Sequence, residues 1–326
     1  MVKTSFLCVF ALKNDLKVFF YTTFALNAFA LNSILCRLAL SGEEADAAGF
    51  TAVRLVSGAI ALVVINYAIS CRGLRVSKGD TLNAEDSSRG IDQLGGSLSP
   101  LLMRGLAQHV GALSGSWLSA VLLFAYAVCF SFAYLGLTAG TGALILFGSV
   151  QVTMIAVAIL RGERPSALEW LGLAIAVGGL VYLVFPGLAS PPLVSSLLMA
   201  AAGAAWGFYT LRGKSSNDPL ADTTGNFVRS MPMAAAVALI FLPQIQLSTR
   251  GVVLAVISGA VTSGVGYTIW YAALKHHTAV RASVLQLTVP LLTAVLGVVL
   301  LAEVFTARLW IAGLLILGGI ALTIFR

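Results

Sequence analysis

Charged side chains are scarce in this sequence: Asp, Glu, Lys and Arg make up 10% of the 326 residues, where a soluble globular domain carries about a quarter. Hydrophobic residues reach 59%. A soluble chain of this length would bury a large core and still keep a polar coat; this one lacks the residues to make that coat. The lipid bilayer is the solvent that remains. Also missing are paired cysteines. Cys8, Cys36, Cys71 and Cys129 are scattered, form no C-x-x-C and have no histidine at ligand spacing. They read as free, apolar thiols, and neither a metal site nor a cofactor is implied. The formal net charge of +7 sits in short connectors, with no basic stripe interleaved with aromatics, which argues against a nucleic-acid partner.

What is present is a series of long apolar runs. A spanning helix needs about twenty mostly apolar residues, and the chain offers ten such stretches, near 17–38, 49–70, 117–137, 140–160, 167–186, 193–211, 226–243, 251–273, 280–301 and 305–325. The expected fold class is therefore all-α, a polytopic membrane protein of ten transmembrane helices. The start MVKTSFLCVFAL has a basic residue and a short apolar run, but Lys13, Asp15 and Lys17 follow it and no small-residue cleavage site does. No cleaved signal peptide is expected, and residues 1–16 read as a loosely ordered cytoplasmic extension. Residues 71–116 begin as a polar, Gly- and Ser-rich loop; the part SPLLMRGLAQHVGALSG, with Arg104, Gln108 and His109, reads as a short interfacial helix rather than a span.

Orientation follows from the basic residues. With a cytoplasmic N terminus, most Lys and Arg fall in cytoplasmic segments, while the outer side keeps Arg37, Arg250 and Arg308 beside the acidic loop SGEEADAAG. This is a positive-inside bias, with both termini cytoplasmic in the cell inner membrane.

The charged stretch LRGERPSALEW (160–170) interrupts two apolar runs. Adding 140 to a residue number explains it: Glu163 lands on Glu303, Trp170 on Trp310, Gly178-Gly179 on Gly318-Gly319 and Phe185 on Phe325. No gap is needed from 133 to 185. Upstream the match is looser: NAFALNSILCR (27–37) resembles AAWGFYTLRGK (204–214), and FTAVR (50–54) resembles NFVR (226–229). The chain is a duplicated five-span unit, residues 17–186 and 193–325. Five is odd, so the second unit sits inverted relative to the first. Inverted repeats exchange conformations around a central site near the bilayer midplane, which is the logic of alternating access.

At these residues the sequence resembles the drug/metabolite transporter superfamily, and its EamA-type bacterial members in particular. Their unit has W-G in its first helix, an Arg early in its second, a Pro in its fourth, a G-E at that helix's end and a Gly pair in its fifth. The second half matches with Trp206-Gly207, Arg229, Pro290, Glu303 and Gly318-Gly319; the first matches with Arg54, Gly162-Glu163 and Gly178-Gly179. It departs with Phe29-Ala30 in place of W-G and Val150 opposite Pro290. The resemblance implies a pathway lined by the first, third, fourth, sixth, eighth and ninth helices, a small-molecule solute as partner, and export rather than uptake. Four-helix relatives couple to protons through a carboxylate in their first helix; this chain has no Asp or Glu between 16 and 42, which disfavours that route.

Polar groups inside spans are functional candidates because they are costly in lipid unless paired. Asn27, Tyr126 and Gln151 fall near the bilayer middle, with Asn32, Trp206, Tyr267, Trp270 and Gln286 to either side. As a set they suit a small polar or amphipathic solute in a mainly apolar pocket; singly, each is equally explained as an interhelical hydrogen bond or an aromatic filler. Glu163 and Glu303 are helix-end charges that also suit gates. Arg54 and Arg229 are expected to snorkel to the surface, with Arg54 the better candidate to meet an anionic group instead. Pro290 kinks the ninth span, as hinge or as packing bend. The small-xxx-small spacing of GAAWG (203–207) reads as close helix packing. His276 and His277 sit in a basic connector. An intramembrane enzyme is the competing class, on Ser114 in GALSG with His109 nearby, but no carboxylate pair or positioned base accompanies them; a non-transporting scaffold or sensor would not need the duplication.

Overall fold

The computed structural model describes residues 2–79, 114–137, 139–162, 164, 166–184, 192–301 and 307–324. The fold is all helical: α1 (Val2–Ser41), α2 (Ala47–Gly79), α3 (Trp117–Ala133), α4 (Ala139–Leu160), α5 (Ala167–Val184), α6 (Leu193–Gly213), α7 (Pro219–Ile240), α8 (Thr249–Leu274), α9 (Ala279–Gln286), α10 (Thr288–Leu301) and α11 (Ala307–Ile324). Helices α9 and α10 form one span interrupted at Leu287, so the chain crosses ten times. Asp15–Ser41, Ala47–Ile69, Leu193–Gly213 and Thr249–Leu274 are each long and apolar enough to cross a membrane alone.

Helix ends fall where capping residues sit. Asp46 accepts from the amides of Ala48 and Gly49 at 3.0 and 2.8 Å to open α2. Ser116, Asp218, Ser248 and Thr278 open α3, α7, α8 and α9 in the same way. In the charged stretch, the Ser166 amide donates to Glu169 at 2.7 Å and the Glu169 amide donates to the Ser166 hydroxyl at 3.3 Å. That reciprocal capping box starts α5 and accounts for Glu169. Two boundaries differ from expectation. Helix α1 begins at Val2, because no Gly or Pro precedes Gly42 to stop it. Helix α2 continues to Gly79, into the stretch expected to be loop; residues 80–113, with the proposed interfacial helix, lie outside the described residues, as do Glu163 and Glu303.

Contacts between helix ends count the crossings. On one side, the Asp46 amide donates to the Gln246 carbonyl at 3.0 Å, the Ser248 amide donates to the Glu44 carbonyl at 2.8 Å, and Arg37 reaches the Tyr134 carbonyl at 3.4 Å. These connectors follow the first, seventh and third spans. On the other side, Lys275 meets the Asn217 carbonyl at 3.1 Å, Asn226 accepts from the Ser116 amide at 3.0 Å, and His277 pairs with Thr22 at 3.1 Å. Those connectors follow even numbers of spans, or none. Odd meets odd and even meets even, as alternating crossings require.

The two halves interlock. Helix α1 packs on α8 and on the α9–α10 span, while α6 packs on α3 and α4. Thus the first helix of each half inserts between the third and fourth of the other. The second helices, α2 and α7, pair, as do the fourth, α4 with α9, and the fifth, α5 with α11. Glycine permits the tightest of these approaches. A Cβ on Gly203 would stand 2.4 Å from the Leu146 carbonyl oxygen and one on Gly207 3.0 Å from Thr153, so GAAWG is the surface on which α6 meets α4.

Candidate functional site

Where the halves meet, aromatic side chains close on one another. Phe29 of α1 and Trp206 of α6 occupy matched places in the repeat and touch edge to face, with centroids 5.3 Å apart. Phe29 also meets Tyr267 and Trp270 of α8, each at 5.7 Å. Tyr126 of α3 lies 5.0 Å from Trp206, which lies 4.6 Å from Tyr267. With Asn32, Ser33, Phe130, Leu146 and Phe147, the rings of Phe29, Tyr126, Trp206 and Tyr267 line a cavity of about 20 Å³, room for about one water. The site is therefore collapsed in this conformation.

Polar groups are fixed around the rings. The Trp206 indole donates to Gln286 Oε1 at 2.7 Å. Asn32 Oδ1 accepts from Ser258 at 2.6 Å and Thr262 at 3.2 Å. Gln151 donates to the Ser283 carbonyl, joining the two fourth helices, and its Oε1 has no partner among the described residues. Residues 258–265 of α8 are wound as π-helix, a local widening frequent at functional sites. That turn directs Ser258 and Thr262 at α1 and Ser263 at α2.

Among the described residues Arg54 is the one cation in this centre. It is 1% exposed, so it does not snorkel and is the exception of the two arginines. Its helix, α2, passes Gly259 so closely that a Cβ there would stand 2.0 Å from the Arg54 carbonyl oxygen. Pressed against α8, the guanidinium donates Nε to Ser263 Oγ at 3.0 Å and Nη2 to the hydroxyls of Tyr267 at 2.7 Å and Tyr126 at 3.4 Å. It lies over the rings of Tyr126 and Phe130, 5.3 and 5.6 Å from their centres.

Six helices implied by the resemblance (α1, α3, α4, α6, α8 and the α9–α10 span) and, in addition, α2 contribute to this centre. Among the sequence candidates, Asn32, Tyr126, Gln151, Trp206, Tyr267, Trp270, Gln286 and Arg54 are buried here. Asn27 is not: it is exposed, donates to the Thr23 carbonyl at 2.8 Å, and faces an apolar groove of about 260 Å³ between α1, α8 and α10. Arg229 lies at the even end, bonded to the Ser114 carbonyl at 2.8 Å. Pro290 sits three residues after the break at Leu287, where it leaves the Gln286 carbonyl without its helical donor. Sequence reasoning did not single out Phe130 or Ser263 and treated Phe29 only as a departure from W-G. Its alignment with Trp206 was the available signal.

At the even end a polar recess of about 310 Å³ opens beneath this centre, lined by Ser116, Ser119, Arg161, Arg212, Asp222 and Asn226 among others. Arg212 is held there by Ser119 and Ser116, at 3.0 and 3.1 Å. Outside the spans, burial pushes the His277 imidazole below its ordinary pKa, and His276, Arg281 and Lys214 push it the same way. Among the described residues no group of three His, Cys, Asp or Glu is placed to hold a metal.

Comparison with known proteins places the scaffold. The model of the EamA-like transporter family matches residues 193–325, the second half. An uncharacterized protein of Pseudomonas aeruginosa is 42% identical over 308 residues, covering 94% of each chain. A protein of known crystal structure superimposes with a TM-score of 0.67 over 94% of this chain and 97% of its own, at 20% identity, a likeness of fold. Helical in its described residues, ten times across the membrane and matched in sequence over its second half, the chain belongs to the EamA-like transporter family of the drug/metabolite transporter superfamily.

Proposed function

We infer that this membrane transporter moves a small amphipathic organic solute by alternating access, in the direction of export, from a cell inner membrane in which both termini are cytoplasmic. The observation that carries the reading is the collapsed aromatic cavity at the junction of two interlocked halves. A room of about 20 Å³ admits no solute, so the halves must part to load it, and equivalent helices on both sides allow them to part toward either surface. Buried polar groups at the cavity margin then orient the solute: Asn32, Tyr126, Gln151, Tyr267 and Gln286, with Trp206 and Trp270 as walls. The basic recess with Arg161 and Arg212 lies at the end that the positive-inside rule makes cytoplasmic, and is the entry vestibule for export. The break before Pro290 supplies the bend about which the α9–α10 span swings, and Glu163 and Glu303, related by the repeat in sequence, are the gate charges. The domain division at 17–186 and 193–325 is part of the same reading. Nothing in it requires chemistry on the solute.

The test is release from proteoliposomes loaded with a metabolite extract of the producing cells, with Gln151→Leu vesicles as control. At least one small metabolite should leave faster through the native protein. Equal release of every metabolite from both preparations removes the transporter reading for this site.

A further inference from the structure

Arg54 brings a full positive charge to the middle of the bilayer with nothing of opposite sign beside it among the described residues. Its partners among the described residues are three neutral hydroxyls and two aromatic faces, and no ion pair reaches it. Its Nη1 is buried with no acceptor. A guanidinium does not deprotonate in a protein, and an uncompensated cation in the membrane interior is costly, so the chain retains a charge that its own side chains leave incompletely paired. Three of the side chains enclosing it, Tyr126, Phe130 and Tyr267, also line the central cavity. The free donor and the cavity therefore share one wall, and among the described residues no carboxylate lines that cavity to receive an ammonium group.

Resting on the transporter reading above, we propose that Arg54 is the recognition group for an anionic solute, an organic monocarboxylate with a flat apolar body, whose carboxylate takes Nη1 and competes with the tyrosine hydroxyls for Nη2. Two planar N–H donors suit a carboxylate in bidentate fashion, and the rings of Phe29, Trp206 and Trp270 suit the apolar body. Driving force fits the same charge: an inside-negative membrane potential pushes anions outward, so export of a carboxylate does not need a proton-coupling acid, and none occurs between residues 16 and 42.

The experiment reads tryptophan fluorescence of the purified full-length protein titrated with 3-phenylpropionate, 3-phenylpropanol and 3-phenylpropylamine, which share a body and differ in charge, and with sodium chloride as the inorganic anion. The expected result is 3-phenylpropionate binding at least ~10-fold tighter than the alcohol and the amine, a preference lost in Arg54→Gln and partly kept in Arg54→Lys. A second variant needs no ligand: Ser263→Asp, at the position 3.0 Å from Nε, places the missing carboxylate inside the protein. It should raise Tm by roughly 3 °C or more and weaken 3-phenylpropionate binding. The proposal is overturned if the three probes bind equally or not at all, if chloride alone reproduces the response, or if Ser263→Asp lowers Tm. Charge-selective binding without flux would keep the anion site and remove the transporter reading; flux indifferent to solute charge would do the reverse.

Discussion

Arg54 and Arg229 sit in the second helix of their respective halves, on two helices that pack against each other. Arg54 is sealed between α2 and α8, bonded to Ser263 and two tyrosines. Arg229 extends along the even end and bonds to the backbone at Ser114. The local surroundings produce the difference: Gly259 and the π-turn of α8 let α2 come close enough to bury the first arginine, whereas the second lies where α3 begins. Duplication thus supplied a symmetric frame, and of these two arginines only Arg54 is buried within it. The same holds for Phe29 and Trp206, which meet at the centre while only Trp206 donates a hydrogen bond.

The largest expected effect breaks this comparison outright. Arg54→Gln should lower flux by about 100-fold, the equivalent of about 3 kcal/mol of charge-assisted binding, while Arg229→Gln changes it less than ~2-fold. Equal losses, measured in the same proteoliposomes, would mean that both arginines serve the frame. Next comes the frame itself. Gly259→Ala puts a methyl 2.0 Å from a carbonyl oxygen and should cost about 3 kcal/mol, whereas Gly178→Ala meets nothing within 4 Å and should be neutral or stabilising by up to ~1 kcal/mol. Thermal melts in one detergent decide between them. Gln151→Leu cuts the bond between the fourth helices and should reduce flux by roughly 10-fold at unchanged membrane levels, through about 1–2 kcal/mol of lost pairing; unaltered flux takes Gln151 out of the site.

The smallest effect concerns pH. His277 is held below its ordinary pKa of 6.5 by burial, so the unfolded chain binds its proton more readily than the folded one. Stability from this group is present above that value and is lost as pH falls through 6.5 toward the folded pKa. Melting temperature should drop from pH 7 to pH 5, and less so in His277→Gln.

Much of the frame was legible from the sequence because lipid imposes simple rules: run length gave the spans, and the 140-residue shift gave the duplication. The extent of α1 and α2 was not, since a helix outlasts its apolar stretch wherever no Gly or Pro stops it. Half the site followed from a single idea, that polar groups inside spans need a reason. Asn27 shows its limit, because depth in the bilayer does not say which face of a helix points inward. Arg54 shows another: snorkelling is the default for an isolated helix, and only the close approach of α8, made by Gly259 and a π-turn without a sequence signature, reverses it.

Sidedness can be checked independently. Cysteines introduced at Glu43 and Ser215, both exposed and on opposite ends, should react with impermeant reagents from opposite sides of the membrane.

The most direct test of the central claim is the small-molecule content of medium from cells producing the native protein, Arg54→Gln and Arg229→Gln at matched membrane levels. The account predicts a carboxylate-bearing metabolite enriched with the native and Arg229→Gln proteins and missing with Arg54→Gln. Identical media from all three would contradict it.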